Sequence, residues 1–244
     1  MKALLACSLA LSCASGPKAG PTNPLAGARQ LVVVTTSGWS ATEGRLVRFT
    51  RRGADDDWSR VSSPVAVVLG AAGLGWGRGL HPAQRGGPTK QEGDKRSPAG
   101  VFRLSGTFGF APSPMGKLPY TPLTPTIECV DDPASKRYNV VVDRAGISNP
   151  DWKSSEKMRQ VDVYALGVVV DHNAWPAVTA GAGSCIFLHL ASDPPAPTVG
   201  CTALASDDLG ALAAWLDKSA HPVLVQLPQK EYDKLAEAWG LPSL

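Results

Sequence analysis

The sequence predicts a mainly β protein, and three observations carry that expectation. Its 25 glycines and 21 prolines, against an 18% charged share, call for many turns and short elements. Short apolar stretches recur between those turns, several with period-two alternation. Segments with helical periodicity are few and brief.

Taken in order, residues Gln30–Thr36 are an apolar run that suits a strand. In 44–50, Leu46, Arg48 and Thr50 alternate with Arg45, Val47 and Phe49 after a Gly-containing turn. Residues 58–61 and 65–69 repeat the pattern across the turn Ser62-Ser63-Pro64, so a β-meander opens the domain. Residues 70–79 are glycine-dense but meet neither phosphate-loop spacing, and irregular backbone is expected there. Residues 100–104 and 139–142 read as strands, and the Pro-rich stretch 111–125 between them as a long covering loop. Ser154, Ser155 and Glu156 start a predicted helix ending near Gly167, with Met158, Val161 and Ala165 on its apolar side. Residues 168–170 and 186–190 are short apolar strands. Ser206 is a natural N-cap for a helix over 207–216, with Asp207 and Asp208 in its first turn and Leu209, Leu212 and Leu216 in one stripe. A strand over 222–227 and a small helix over 231–239 complete the chain.

The domain plan is a signal peptide and flexible linker over residues 1–28, one catalytic-sized domain over 29–228 and a C-terminal tail over 229–244. Met1-Lys2, the apolar residues 3–11 and the small residues Ser12 to Gly16 follow the pattern of an export signal. Ala10-Leu11-Ser12-Cys13 resembles a lipobox and makes Cys13 a candidate for lipidation and membrane attachment; a simple secreted form is the equal alternative. Gly, Pro, Ala and Ser dominate up to Ala28, as in a tether. Net charge is +3, and the longest run of like charge is Asp55-Asp56-Asp57, which excludes a nucleic-acid footprint. Nothing in the sequence speaks to oligomeric state.

After export three cysteines remain, Cys129, Cys185 and Cys201, and in an oxidising compartment an odd count leaves one thiol free if two pair. Strand 186–190 holds His189, and Cys201 lies twelve residues on, past a loop containing Pro194, Pro195 and Pro197. If the loop returns on itself, imidazole meets sulfur and a thiolate becomes available near neutral pH, which suits acyl transfer. Gly200 permits close backbone approach, and amides around Gly200 and Cys201 are candidates for an oxyanion hole. His172, His189 and Cys201 include zinc-ligand types, but closely spaced ligand pairs are absent and no metal is expected. His81 and His221 read as packing or surface residues, and the seven scattered tryptophans as core.

Phe187-Leu188-His189 followed by Pro197-Thr198-Val199-Gly200-Cys201-Thr202-Ala203-Leu204 resembles the YkuD-type L,D-transpeptidase family. Lys90 to Phe102, with Gly93-Asp94 and Ser97-Pro98-Ala99-Gly100, resembles another of its segments, as do Cys129 to Pro133, Tyr138-Asn139, Asp151-Trp152 and Val169 to Asn173. The likeness spans roughly residues 65–226. It implies a β-sandwich-like catalytic domain with a few short helices that acts on peptidoglycan stem peptides without a cofactor. Cys201 would be the nucleophile and His189 the base, with Gly200, Thr198, His172 and Lys90 around the oxyanion and substrate. With Cys201 in that role, Cys129 and Cys185 are the expected disulfide. Better-known members carry Ser-His before Gly-Cys and an Arg shortly after it; Val199 and Thr202-Ala203 stand here instead, so Lys90, Arg96 or another base is left to meet the substrate carboxylate. Three outcomes follow from the resemblance: an acyl group passed to an amine, the same thioester resolved by water as in an L,D-carboxypeptidase or amidase, or a non-catalytic envelope lipoprotein that binds stems.

Overall fold

Strands at the two ends of the described chain lie side by side. The computed structural model describes residues 23–244, so the leader and Cys13 lie outside the described residues. β1 (Gln30–Thr36) forms a hairpin with β2 (Glu43–Thr50) and runs parallel to β14 (Val223–Pro228), with Leu31 opposite Val223. From β14 the sheet continues through β6 (Ser97–Gly109), β11 (Leu166–Val170), β12 (Phe187–Leu190), β13 (Thr202–Leu204) and β4 (Val65–Val68) back to β2. These eight strands therefore close into a barrel, where a sandwich was expected. Alternation along a strand is the same in both architectures; only the long-range β1–β14 and β4–β13 pairings separate them.

Short strands decorate the ring. β3 (Ser59–Arg60) extends β2, while β5 (Leu74–Trp76) and β7 (Tyr120–Pro122) run parallel to β6. Both of these lie in segments read as irregular from their glycine and proline content. A separate three-stranded sheet joins β8 (Ile127–Cys129), β9 (Val141–Asp143) and β10 (Glu156–Lys157), with β8 in the middle. The helix predicted over 154–167 does not form. Glu156 pairs with Cys129 across β8 and β10, and two 3-10 turns, Met158–Gln160 and Asp162–Ala165, follow. Burying Met158 and Tyr164 in one cluster outweighs the weak helical propensity of a stretch holding Val161, Asp162 and Val163.

Among the described residues there are two α-helices, α1 (Ser206–Trp215) and α2 (Gln229–Trp239). Ala205, not Ser206, is the N-cap of α1, and no side chain caps it. Tyr232, Leu235 and Trp239 of α2 are buried in the main core, and so are Leu25 and Ala28, which composition assigns to a tether. The packed unit thus takes in residues on both sides of the predicted domain limits.

Candidate active site

β12 is buried on both faces, and that places the site. Ile186 and Leu188 point into the barrel core, while Phe187 joins a second, smaller cluster outside it with Phe108, Tyr164, Met158 and the three cysteines. His189, two residues beyond Phe187, shares its outward face. β13 runs parallel to β12 with Leu188 opposite Thr202 and His189 opposite Ala203. Leu204 packs inside, and the Thr202 hydroxyl donates to Gln226 Oε1 at 2.8 Å, so Cys201 falls on the outward side near Phe187. The Phe187 N–H donates to Cys201 Sγ at 3.3 Å, and the thiol points to the Cys185 carbonyl at 3.5 Å.

The turn before Cys201 is held from two sides. Thr198 Oγ1 donates to Cys201 O at 2.6 Å and accepts from Gly200 N at 3.2 Å, so the Gly200 amide proposed for an oxyanion is engaged at rest. Ser97, fully buried, donates to the same Cys201 carbonyl at 2.7 Å and accepts from Gly70 N at 2.9 Å. Gly200 has φ of +152°, and a Cβ there would sit 3.3 Å from the Arg96 carbonyl. Gly200→Ala is expected to cost about 1–3 kcal/mol of unfolding free energy through backbone strain, read by urea titration, and to slow reaction of the adjacent thiol.

His189 Nδ1 lies 2.7 Å from the Leu190 carbonyl, an acceptor, so the proton sits on Nδ1 and Nε2 keeps a lone pair. Burial lowers its pKa, which keeps the ring neutral, and the ring stands edge-on to Tyr164 with centroids 5.5 Å apart. Among the described residues no hydrogen bond joins His189 to Sγ. The loop does return as its prolines permit, and it brings Cys201, directly before β13, alongside β12, which carries His189. The partner that orients His189 is a backbone carbonyl, which leaves no mark in the sequence.

Two further side chains complete the surroundings of Cys201. The Tyr164 hydroxyl donates to Glu156 Oε2 at 2.7 Å, and Tyr164 packs in the same buried cluster as Cys201. Burial, reinforced by the charges of Asp131 and Glu92, pushes the Glu156 carboxyl up to about 7 despite the Tyr164 bond. Burial pushes the Cys201 thiol up to about 12, with Glu156 adding to the rise and the Phe187 N–H, Tyr164 and Lys90 opposing it. The resting sulfur is therefore a thiol, where the sequence reading expected a thiolate near neutral pH, and its proton has to be removed during reaction. Neither residue was a sequence candidate: Glu156 reads as a helix-start acid, and nothing local marks Tyr164.

Of the remaining candidates, Lys90 approaches Gly200 and His172 is committed to backbone. Lys90 Nζ is buried, bonds Asp94 Oδ1 at 2.6 Å and Gln91 O at 2.7 Å, and would lie 3.8 Å from a Cβ on Gly200. Arg96 is committed to the Ala72 and Leu74 carbonyls at 2.6 and 2.9 Å. His172 spends Nδ1 on the Arg78 N–H at 3.2 Å and Nε2 on the Ala182 carbonyl at 2.9 Å, leaving neither nitrogen for a substrate; burial pulls it down to about 4. It ties backbone segments together. Among the described residues no group of His, Cys, Asp or Glu is arranged to hold a metal ion.

Cys129 and Cys185 form a disulfide, and Cys201 is the free cysteine among the described residues. The bond fastens β8, and through it β10 with Glu156, to the segment leading into β12. It closes a sequence separation of 56 residues, so its loss is expected to lower stability by about 4 kcal/mol on loop-closure entropy. Unfolding of the Cys129→Ala, Cys185→Ala double variant measures this.

A family model described as the L,D-transpeptidase catalytic domain, YkuD, matches residues 34–225. No curated protein and no solved structure matches the chain.

Proposed function

The chain belongs to the YkuD family of L,D-transpeptidase catalytic domains, and from that premise we propose that it performs acyl transfer on peptidoglycan stem peptides through a thioester on Cys201. The observation that carries this reading is the arrangement of β12 and β13, which sets a neutral histidine with a free Nε2 lone pair beside the strand of a buried, unpaired thiol.

The steps follow from those groups. Cys201 Sγ attacks the carbonyl of the meso-diaminopimelate residue in a tetrapeptide stem, and its proton passes to His189 Nε2. The Leu190 carbonyl stabilises the imidazolium through Nδ1–H. His189 then returns the proton to the departing amine of D-alanine, and the acyl group remains as a thioester until an acceptor takes it. Sulfur deprotonated only in concert with attack suits an enzyme in an oxidising compartment, where a standing thiolate would be oxidised. Lys90, the cation nearest Gly200, is proposed to meet the stem carboxylate in place of the Arg found in better-known members.

The proposed location is the cell envelope, reached by export through residues 1–28. The mass of the mature N-terminus separates a diacylated Cys13 from a simple cleaved leader. For the reaction itself, a purified disaccharide tetrapeptide incubated with the protein is expected to yield free D-alanine together with a crosslinked or hydrolysed stem. Intact substrate after prolonged incubation leaves only a stem-binding role.

A further inference from the structure

A carboxylate wall stands beside the nucleophile, and it does not help the nucleophile. Glu156 faces Cys129 across β10 and β8, level with the disulfide whose other half, Cys185, holds the Cys201 thiol. Tyr164 donates to Glu156 and packs in the same buried cluster as Cys201, edge-on to Phe187 and His189. Asp131, two residues beyond Cys129, adds its charge to Glu156 and has a buried Oδ1 with no hydrogen-bond partner. Glu92, which accepts from the Tyr138 and Ser184 hydroxyls, is the third acid acting on Glu156. Lys90, whose charge acts on Cys201, is already paired with Asp94. Negative charge here raises the thiol pKa and hinders the first half of the reaction, so its use has to lie elsewhere. Asp131 Oδ1 is an acceptor without a donor, Glu156 is only partly buried, and a ligand supplying N–H donors with positive charge would complete the wall.

We infer that Glu156, hydrogen-bonded to the Tyr164 that packs beside Cys201, receives the ammonium of a primary-amine acceptor and takes its proton, directing the thioester to an amine in preference to water. The inference rests on the reading of Cys201 as the acyl carrier. The incoming R–NH3+ gives one proton to the Glu156 carboxylate, directly or through the Tyr164 hydroxyl. The neutral nitrogen attacks the thioester carbonyl, the C–N bond forms and the C–S bond breaks. The second proton lost from nitrogen goes, by way of His189, to the departing sulfur, which regenerates the thiol. Glu156 then releases its proton to solvent; with its pKa near neutrality it exchanges readily in either direction. Tyr164, Asp131, Glu92 and Cys201 are the titratable groups facing it.

The test uses the whole protein, with tetrapeptide stem as acyl donor and free meso-diaminopimelate as acceptor. Two quantities are read: the ratio of amide to hydrolysed product, and the rate at which iodoacetamide alkylates Cys201 in substrate-free protein. Glu156→Gln keeps the shape and removes the charge. It is expected to lower the amide-to-acid ratio by about tenfold or more and to raise the alkylation rate several-fold, since the thiol pKa falls. Loss of packing alone would not move the two readouts in opposite directions. Tyr164→Phe is expected to lower the ratio as well, with melting temperature reporting that both variants are folded. A ratio unchanged within about twofold in folded Glu156→Gln, or alkylation that slows, overturns the inference. Absence of any thioester in the unaltered protein is a different failure and removes the acyl-carrier reading itself.

Discussion

In Cys201→Ala, release of D-alanine from a tetrapeptide stem is expected to fall by roughly 10⁴-fold or more, with no covalent adduct formed. The variant is expected to stay folded. Truncation leaves the Phe187 N–H without its sulfur acceptor, a cost of about 1–3 kcal/mol, while the turn is still held by Ser97 and Thr198 through the residue 201 carbonyl. A merely structural thiol predicts the reverse pattern, a stability loss with release otherwise unchanged. Activity and urea unfolding measured on one preparation distinguish the two.

His189→Ala gives the next largest effect, a fall in acyl transfer of roughly 10² to 10⁴-fold. The residue is the proposed base. Its Nδ1 proton is committed to Leu190 O, which fixes both tautomer and ring direction, and with a thiol pushed up to about 12 little thiolate exists without a base. The sign of the pH dependence follows. The base acts in its neutral form, and burial lowers its pKa, so activity is held until pH drops below the ordinary histidine range near 6.5 and declines beyond it. A rate profile should show this acid limb in the unaltered protein and lose it in His189→Ala. Alkylation of Cys201 near neutral pH should slow in the same variant; equal rates would take His189 out of the mechanism.

Local pattern carried some of the fold well. The apolar run Gln30–Thr36 and the stripe Leu209, Leu212, Leu216 correspond to β1 and to the buried face of α1 and its C-cap. Closure of the barrel was not legible, because it depends on β1 lying against β14, almost the whole chain away, and period-two alternation carries no trace of that pairing. The stretch 154–167 shows the opposite hazard. Ser154, Ser155 and Glu156 look like a helix start, yet the Cys129–Cys185 bond fixes β8 where Glu156 can pair with it, and tertiary context decides. The same misreading hid Glu156 as a site residue.

For the candidate site, the Cys201–His189 pair was legible from the strand carrying histidine and the Gly-Cys that follows the loop. What they touch was not. Leu190 acts through its carbonyl, Tyr164 packs beside Cys201 from a 3-10 turn and bonds Glu156, and Ser97 and Thr198 converge on one backbone oxygen. His172, drawn in by its neighbours in sequence, has both ring nitrogens spent on backbone.

The most direct measurement is the intact mass of the protein after brief exposure to a tetrapeptide stem, followed by peptide mapping. The account predicts an increase equal to the stem less one D-alanine, carried on the peptide containing Cys201 and removed by hydroxylamine. An unmodified mass under conditions where the stem is demonstrably bound, or an adduct on any other residue, would contradict it.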